Sequence, residues 1–394
     1  MTLQPLSQET TLATSILLRQ AMTLCREKEL SYAVWKLPVS EAIYFAAGAR
    51  LSEIHDVSLE DTTPGFVFAP FDPGARKIFL PADELLVFGK DSLTPSKGML
   101  ADQLGANKSI TGEDTPSFFV KPLEQTASAD EPTYYQLVER CRDAVLAGEF
   151  EKLVPSRTKE VDLPPSFDLA NVFMQLSHRY PGAMVSIFSS PKTGTWIGAT
   201  PETLVRVDQN QHFHTVAVAG TQKYEPGTDL RSITWTQKEI EEQALVERYI
   251  ISCFKKIRLR EFDEHGPKTV VAGNVVHLKT EFEVDMVATR YPQLGSVMLQ
   301  LLHPTSAVCG MPMEKSLAFL RAHEGYSREY YSGYLGPVKI NNESHLFVNL
   351  RCMQVSGERA RLYAGGGVLG ESDPEKEWTE TELKMNTLLS VIRD

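Results

Sequence analysis

Two Glu-x-x-Glu pairs, Glu239/Glu242 and Glu377/Glu380, lie far apart in the chain, and each is close to the start of a segment with helical periodicity. A spacing of three residues places both carboxylates of a pair on one helical face. Four carboxylates that converge from two helices repel one another strongly unless a cation lies among them. Hard oxygen ligands in this number suit Mg²⁺, which keeps some waters and bridges to an anionic substrate. The pairs therefore indicate metal-assisted chemistry on a small carboxylate.

Each pair also has a purely structural interpretation. The segment Thr236-Gln-Lys-Glu239 is a capping box, and Asp373-Pro374 is typical of an N-cap followed by proline at the first helical position. Acidic residues in a first helical turn also complement the helix dipole. For either pair alone, a helix start is the commoner explanation, so the case for a site depends on other residues.

A run of three glycines is the densest additional signal. In Tyr363-Ala-Gly-Gly-Gly-Val-Leu-Gly370, a predicted strand leads directly into the glycines. Glycines cost strand stability, so they often mark a close approach of the backbone to a ligand, and successive N–H groups there can bind a carboxylate. A bulge or tight turn is the structural alternative. The segment is neither a GxGxxG nor a Walker loop, because no phosphate-binding helix with the required lysine follows.

Single polar residues in apolar surroundings add further candidates. Arg351 lies in a predicted apolar strand, where a guanidinium is either a carboxylate clamp or half of a structural ion pair. Lys152 begins another apolar strand, where desolvation lowers the pKa of a lysine and suits it to general-base chemistry, although a surface lysine is the simpler explanation. Glu202 follows a proline at the end of a strand and is a candidate general acid. His277 and His303 lie in contexts typical of core histidines.

Periodicity predicts the elements that must position these side chains. Residues 1–120 indicate a helix over 13–29 and short antiparallel strands without a catalytic constellation, and the polar residues 121–132 indicate a linker. Because strands and helices cluster rather than alternate, we predict an α+β fold with large, mostly antiparallel sheets in layers flanked by helices. An N-terminal lobe, 1–125, then contributes to the same fold as a catalytic region, 133–390. Helices are predicted at 134–147, 169–178, 239–257, near 297 and 315, and at 375–392; strands at 152–157, 183–188, 196–199, 212–218, 269–282, 346–355 and 360–364.

Composition narrows the class of protein. A chain of 394 residues with a net charge of −11 can form a large core and is not expected to bind nucleic acid, which favours a basic face. No apolar stretch reaches the length of a membrane span, and the first residues lack the basic and apolar regions of a signal peptide. The cysteines are odd in number and free of CxxC spacing, so we expect a reduced, cytoplasmic protein without a zinc site: Cys25, Cys141, Cys253, Cys309 and Cys352.

Taken in order, these segments resemble the chorismate-utilising enzymes, the family of isochorismate synthase, anthranilate synthase component I, aminodeoxychorismate synthase and salicylate synthase. The resemblance covers about residues 133–390 and depends on many ordered motifs rather than on one. They are Lys152-Leu-Val-x-Ser-Arg157, Gly198-Ala-x-Pro-Glu202, Ala219-Gly-Thr221, Lys238-Glu-x-x-Glu242, Val276-His-Leu278, Leu302-His-Pro-Thr305, Arg351-Cys, Ala364-Gly-Gly-Gly367 and Glu377-Trp-x-Glu-Thr-x-x-Lys384.

The resemblance implies a Mg²⁺ held by Glu242 and Glu380, with Glu239 and Glu377 around its waters and the ring carboxylate of chorismate bound to the metal. It also implies that Lys152 activates water for attack at C2 of the ring, while Glu202 on the opposite face protonates the departing C4 hydroxyl. The implied substrate contacts, including those to the enolpyruvyl carboxylate, are Gly220, Thr221, His277, Ala307, Tyr326, Arg351, Gly365, Gly366, Gly367 and Lys384.

Within this family, two stretches favour hydroxylation over amination. The stretch Leu302-His-Pro-Thr-Ser-Ala-Val-Cys-Gly310 looks like the isochorismate-forming pattern, with Ala307 in place of a threonine, and Gly220-Thr-Gln222 replaces a Gly-Thr-Arg stretch of the aminating members. No glutaminase subunit is therefore implied, and we expect a monomer or weak dimer.

Three residues depart from the family pattern. Ser306 replaces a common proline, Gly366 replaces a common alanine, and Pro155 replaces an aliphatic residue. Pro155 withholds one ladder hydrogen bond and so affects the strand that aims Lys152.

The resemblance thus predicts a Mg²⁺-dependent isochorismate synthase that feeds menaquinone or catecholate siderophore formation. The alternatives within the family are a salicylate synthase, which also eliminates pyruvate, and an anthranilate or aminodeoxychorismate synthase component I. An alternative of a different class is a catalytically silent binding homologue, which would have no reason to retain Lys152 and Glu202.

Overall fold

The computed structural model describes residues 8–89, 93–95, 99–105, 116–124, 130–225, 227–272 and 275–392. The helices in these ranges are α1 (Gln8–Glu27), α2 (Met99–Gly105), α3 (Glu131–Leu146), α4 (Leu169–Arg179), α5 (Gln237–Lys256), α6 (Leu294–Leu302), α7 (Met313–His323) and α8 (Pro374–Ile392). None of these described helices has the length and apolar character needed to cross a membrane.

The strands in the described ranges are short and numerous. They are β1 (Ser31–Lys36), β2 (Ile43–Gly48), β3 (Ser52–Ile54), β4 (Gly65–Ala69), β5 (Lys77–Pro81), β6 (Glu84–Phe88), β7 (Leu93–Pro95), β8 (Lys152–Leu153), β9 (Ser156–Asp162), β10 (Met184–Ser190), β11 (Gly194–Thr200), β12 (Thr203–Val207), β13 (His212–Lys223), β14 (Asp263–Ala272), β15 (Val275–Asp285), β16 (Gly310–Met311), β17 (Tyr334–Val338), β18 (Ser344–Val348), β19 (Cys352–Ser356) and β20 (Arg359–Gly365).

Two nine-stranded antiparallel sheets organise the molecule. Sheet A has the order β7-β6-β2-β1-β10-β11-β19-β20-β9, and sheet B has the order β14-β15-β13-β12-β18-β17-β4-β5-β3. A two-stranded ribbon of β16 and β8 accompanies them. Both large sheets combine strands from the first hundred residues with strands from the rest of the chain. The predicted α+β fold with large antiparallel sheets is therefore confirmed.

The alternation of side chains along the strands produces the layers. In β1, Ala33 and Trp35 point into an aromatic core that also contains Phe68 of sheet B, so the two sheets face each other across it. Tyr32 and Val34, on the opposite face, pack in a second core with helices α1, α4 and α8. The outer face of sheet B packs in the same way against α5, α6 and α7. The order of layers is helices, sheet, sheet, helices.

Three predicted strands are each two elements. The segment 269–282 belongs to β14 and β15, which pair antiparallel from Ala272 opposite Val275. The two residues between them, Gly273-Asn274, lie outside the described ranges, but this dipeptide is typical of a hairpin connection, a signal that the prediction missed. The segment 152–157 is divided between β8 and β9 on either side of Pro155, because proline has no N–H for a ladder.

The third divided segment, 346–355, changes the expectation for Arg351. Strand β18 ends at Val348 and β19 begins at Cys352, so Arg351 lies between strands rather than inside one. Its φ of 48° is in the left-handed region, which no continuous strand permits. The prediction of an arginine within a strand was wrong, because alternating apolar residues on both sides of a sharp bend look like one strand in sequence.

The predicted linker, 121–132, falls partly on residues 125–129, which lie outside the described ranges. Its described part is anchored: the Lys121 ammonium is 2.9 Å from a Glu329 carboxylate oxygen, and the Glu124 carbonyl accepts a hydrogen bond from Arg361. Helix α3 begins at Glu131 and is capped by the Asp130 side chain.

Candidate active site

A cavity lies where ends of strands from both sheets meet helices α5 and α8. Its walls include backbone and side chains from β13, the β11–β12 and β18–β19 connections, and the glycines after β20. Most of the predicted site residues line it: Glu202, Gly220, Thr221, Glu242, His277, Ala307, Arg351, Gly365, Gly366, Gly367, Glu380 and Lys384. The remaining four, Lys152, Tyr326, Glu239 and Glu377, lie around this lining in positions described below.

The glycine segment and the Lys152 strand are joined by backbone hydrogen bonds. Leu153 and Val368 exchange N–H···O bonds of 3.1 and 2.7 Å, and the Gly366 N–H donates to the Pro155 carbonyl at 3.2 Å. A Cβ placed on Gly367 would lie 2.3 Å from Glu242 Oε1 and 2.8 Å from Lys152 Cε. The glycine is therefore required by the close approach of two charged side chains to the backbone.

Lys152 and Glu242 form a buried ion pair at this point. The Lys152 side chain is 1% exposed, and its Nζ donates to Glu242 Oε1 at 2.7 Å. Burial opposes ionisation of the Glu242 carboxyl, but the charge and hydrogen bond of Lys152 outweigh it and lower the pKa of Glu242. Lys152 is thus not the exposed lysine at a strand end that the structural alternative supposed.

The carboxylates of α8 are paired in the same manner. Lys238 Nζ is 2.6 Å from Glu377 Oε1, and Lys384 Nζ is 2.5 Å from Glu380 Oε1. Burial and the charge of Glu380 raise the pKa of Glu377 despite the nearby Lys238 ammonium. The other oxygen, Glu377 Oε2, is buried and has no hydrogen-bond partner among the described residues. An unpartnered buried carboxylate oxygen is costly unless another ligand occupies it.

The donor set suits a hard divalent cation. Oxygens of Glu242, Glu377 and Glu380 all lie beside the glycine segment, since a Cβ on Gly366 would be 2.7 Å from Glu377 Oε2 and 4.0 Å from Glu380 Oε1. These carboxylates do not form a set of three whose ligand atoms all lie within 4.8 Å of one another. An open arrangement of carboxylates fits Mg²⁺, which keeps waters and shares its coordination with a substrate.

Glu239 has the position of a helix cap rather than of a cavity wall. Its carboxylate accepts from the Thr236 N–H at 2.8 Å, from the Thr236 hydroxyl at 2.9 Å and from Gln222 Nε2 at 2.9 Å. Both hydrogen bonds of the capping box are present, so Glu239 caps helix α5, as the structural interpretation of this pair supposed. Its Cβ lies 3.3 Å from a Cβ built on Gly220, which places Glu239 behind the lining.

Glu202 is the titratable group of the cavity that is poised near neutrality. Burial raises the pKa of its carboxyl to about 7, against the opposing charges of Lys152, Lys384 and Arg351. A carboxyl with this pKa is protonated in a substantial fraction of molecules at neutral pH, as a general acid requires. Its backbone is fixed by the Val348 N–H, which donates to the Glu202 carbonyl at 3.0 Å.

Arg351 presents an uncommitted guanidinium to the cavity. Nη1 donates to Thr387 Oγ1 at 3.3 Å, and no carboxylate of the described residues forms an ion pair with Arg351. Burial lowers the pKa of Arg351, and the Glu380 charge opposes this effect. Of the two sequence interpretations, a structural ion pair is absent in the described part of the chain, which leaves the fork available for a ligand carboxylate.

The histidines differ in their surroundings. His277 Nδ1 is 2.7 Å from the Gly220 carbonyl, and burial followed by the Arg351 charge lowers the pKa of His277 to about 4. The neutral ring therefore donates from Nδ1 and leaves Nε2 as an acceptor at the cavity. Thr221 Oγ1 is 3.3 Å from the same Nδ1. His303 is a core histidine, as its context indicated, with Nε2 3.1 Å from the Pro70 carbonyl.

Tyr326 lies behind the cavity lining. Its hydroxyl is 2.6 Å from Ser156 Oγ, and its ring centroid is 6.3 Å from that of Tyr363. Ser156 also donates to Glu324, which forms a buried ion pair with Arg328. This network fixes the strand that follows Lys152.

Several residues of the site were not predicted from the sequence. Lys238 was part of a quoted motif yet received no role, although it pairs with Glu377. Tyr331 and Tyr363 stack with ring centroids 5.3 Å apart, and Tyr363 stands at the head of the glycine segment. Lys238 and Tyr363 lie in quoted segments, which was the available signal; Tyr331 lies in none. The lining residues that were not predicted are Val154, Pro201, Val218, Ala219, Val308, Tyr331, Leu350, Tyr363 and Ala364.

Fold and cavity together bring a buried amine, a carboxyl with a raised pKa, an arginine and a glycine segment to one place. A family model described as chorismate binding enzyme matches residues 92–393, so the chain belongs to that family. The resemblance inferred from the motifs is confirmed.

Individual relatives agree with this assignment. Isochorismate synthase EntC of Escherichia coli is 26% identical over 283 residues, which cover 70% of this chain and 71% of that protein. The solved structure of MenF, the menaquinone-specific isochorismate synthase of Escherichia coli, superposes with a TM-score of 0.74 at 21% identity and covers 94% of this chain and 91% of its own. Anthranilate synthase component I from Streptococcus pneumoniae gives 0.67 at 17% identity, with 91% and 89% covered. The architecture is therefore shared by different activities.

Proposed function

We propose that this protein is an isochorismate synthase, which adds water at C2 of chorismate and expels the C4 hydroxyl with movement of the ring double bonds. The observation that carries the proposal is that Glu202, a carboxyl with a pKa of about 7, lines the cavity, while the buried amine of Lys152 lies beside Gly367 of the same lining. Family membership supplies the substrate class, and relatives named isochorismate synthase support the reaction.

Lys152 is the proposed general base. Its Nζ lies beside Gly367 and Glu242, where the close-packed backbone and the ion pair hold it in one orientation. To act as a base, Nζ must first give up the proton of the ion pair; the free amine would then take a proton from the attacking water as the new C–O bond forms at C2. Positioning of this kind requires little side-chain freedom, and a side chain that is 1% exposed has little.

Glu202 is the proposed general acid. Among the charges that act on its carboxyl, that of Lys152 has the largest influence, which supports their closeness in the cavity. The protonated carboxyl would donate to the C4 oxygen as that bond breaks, so hydroxide need not leave unprotonated. Burial keeps the proton in place near neutral pH, which supports this role.

The remaining groups bind the two carboxylates of chorismate. The Arg351 fork and the N–H groups of residues 365–367 would hold the enolpyruvyl carboxylate, with Lys384 nearby. Glu242, Glu377 and Glu380 would hold Mg²⁺. Glu239 would help to position Glu242 by capping the start of α5. When bound, the ion supplies positive charge that neutralises the ring carboxylate. The unpartnered Glu377 Oε2 supports a cation at this position.

Water rather than ammonia is the proposed nucleophile, and the product would feed menaquinone or catecholate siderophore formation. Ala307 lines the cavity, and the Gln222 amide donates a hydrogen bond to the Glu239 carboxylate. These two residues belong to the two sequence stretches that favour hydroxylation. We propose action without a glutaminase subunit, as a monomer or weak dimer. Five buried, unpaired cysteines support a reducing compartment, the cytoplasm.

A product assay tests the proposal. Purified protein incubated with chorismate and Mg²⁺ should convert it to isochorismate, separated by chromatography, and Lys152→Ala measured in parallel should be inactive. Accumulation of salicylate and pyruvate would assign the salicylate synthase activity instead. An aminated ring on addition of ammonium salts would assign the aminating branch, and absence of turnover with retained chorismate binding would indicate a silent homologue.

A further inference from the structure

Strand β13 connects the cavity with the opposite end of sheet B. Gly220 and Thr221 line the cavity near one end of the strand, and His212 and His214 lie at the other. Because a strand rises about 3.3 Å per residue, the histidines are roughly 20 Å from the cavity. Whatever they do is therefore separate from the chemistry on chorismate.

Three potential metal ligands converge at this far end. His212 and His214 are two residues apart on β13, so their side chains share one face of the sheet. Asp208 lies in the connection from β12 to β13, and each of the three can offer one ligand atom such that all lie within 4.8 Å of one another. Among the residues that the structure describes, this is the one group of three His, Cys, Asp or Glu side chains with that property.

The Asp208 carboxylate is held in place by the backbone. Oδ1 accepts hydrogen bonds from the N–H groups of Asn210 and His212, both at 2.9 Å. The other oxygen, Oδ2, faces the histidines and lies 3.3 Å from His214 Nε2. One oxygen therefore fixes the side chain, and the second remains directed at the imidazoles.

Carboxylates of the neighbouring strand surround the far side of the rings. Glu283 of β15 is opposite His214 in register, and Asp285 is opposite His212. Glu283 Oε1 is 3.1 Å from His212 Nδ1, and Oε2 is 3.7 Å from His214 Nδ1. A carboxylate that receives one ring N–H orients an imidazole and leaves the other nitrogen for a metal, the arrangement found around metal-binding histidines.

We propose that Asp208, His212 and His214 bind a divalent transition ion such as Zn²⁺, with Glu283 orienting the ring of His212. Two imidazoles and one carboxylate suit Zn²⁺ rather than Mg²⁺, and water would complete the coordination. The three side chains are 11%, 34% and 24% exposed, so an ion can reach them from solvent. The expectation of a protein without a zinc site depended on the cysteine spacing alone, and these histidine and aspartate side chains played no part in it. The ion would cross-link the β12–β13 connection, which carries Asp208, to the start of β13.

Calorimetric titration with Zn²⁺ in excess Mg²⁺ tests the site without confusion with the cavity. The full chain should bind one equivalent of Zn²⁺, and Zn²⁺ should raise its thermal midpoint. His214→Ala and the isosteric Asp208→Asn should lose this equivalent and the midpoint shift, while Glu283→Gln should weaken binding by about tenfold or more. Turnover of chorismate should remain unchanged in all three variants.

Two matched controls decide where the ion binds. His178→Ala removes an exposed histidine of α4, and Glu242→Gln alters the cavity; both should retain the equivalent of Zn²⁺. The proposal is overturned if the unaltered protein binds no Zn²⁺, or if His214→Ala and Asp208→Asn bind it as the unaltered protein does. Loss in Glu242→Gln would assign the ion to the cavity, and loss in His178→Ala would assign it to another surface; either result also overturns the proposal.

Discussion

Replacing Gly367 by alanine perturbs the Lys152–Glu242 pair without removing either charge. The backbone at Gly367 does not have a positive φ, so alanine fits the chain itself. Its Cβ, however, would be 2.3 Å from Glu242 Oε1 and 2.8 Å from Lys152 Cε, whereas ordinary contact begins at 3.4 Å. One of these side chains must therefore move by about 1 Å. A misplacement of this size at a catalytic group costs about 10²-fold in rate.

The assay is the steady-state conversion of chorismate by Gly367→Ala, compared with Gly370→Ala. At Gly370 the added Cβ meets only Leu146 Cδ2 at 2.9 Å, the end of a flexible side chain outside the cavity. We expect kcat to fall about 10²-fold for Gly367→Ala and to change little for Gly370→Ala, with both variants folded by circular dichroism. Turnover of Gly367→Ala within a few-fold of the unaltered protein, or an equal loss in both variants, would refute the reasoning.

Three further predictions concern the acid, the arginine and stability towards pH. Glu202→Gln should lower kcat by about 10²-fold, and the fall in rate of the unaltered protein as pH rises through about 7 should disappear from its pH profile. Arg351→Lys keeps the charge but loses the fork, so KM should rise by about tenfold or more in initial-rate measurements. Burial lowers the pKa of His303 to about 3. Between pH 6.5 and 3, this histidine is therefore protonated in the unfolded chain and neutral in the folded chain. The free energy of unfolding should therefore fall by on the order of 4 kcal/mol as pH decreases from 6.5 to 3, and denaturant titrations of His303→Gln should lack this contribution.

The fold class and most helices were predictable because their signals are local. Periodicity, caps and proline positions specify α3, α5 and α8 without knowledge of what they contact. The Thr236–Glu239 segment shows the limit of such signals, because Glu239 was compatible with a helix cap or with a metal ligand. Its carboxylate is held by Gln222 of strand β13, and this contact could not be predicted from the local sequence. The bend at Arg351 was hidden because apolar residues continue on both sides of it.

Most predicted site residues do line the cavity, but the pairing of lysines with its carboxylates was not predicted. Motif order identified the carboxylates, the arginine and the glycines because each motif is contiguous in sequence. The Glu380–Lys384 pair is an i,i+4 pair within α8, which helical spacing allows. The other two pairs are not contiguous: Lys152 of β8 pairs with Glu242 of α5, and Lys238 of α5 pairs with Glu377 of α8, so only the tertiary structure brings them together. Pairing across such separations leaves no periodic trace in the sequence.

This balance revises the electrostatic premise from which the site was first inferred. Carboxylates that converge from two helices need not await a cation, because a lysine already opposes the charge of Glu242, Glu377 and Glu380. Mutual repulsion is therefore not what supports the metal hypothesis. The support is narrower: one oxygen, Glu377 Oε2, is buried and has no hydrogen-bond partner in the described ranges, while Glu242 and Glu380 border the same glycines. With the three lysines protonated, their charges offset those of the paired glutamates, and Arg351 adds a positive charge that favours an anionic substrate in a chain of net charge −11.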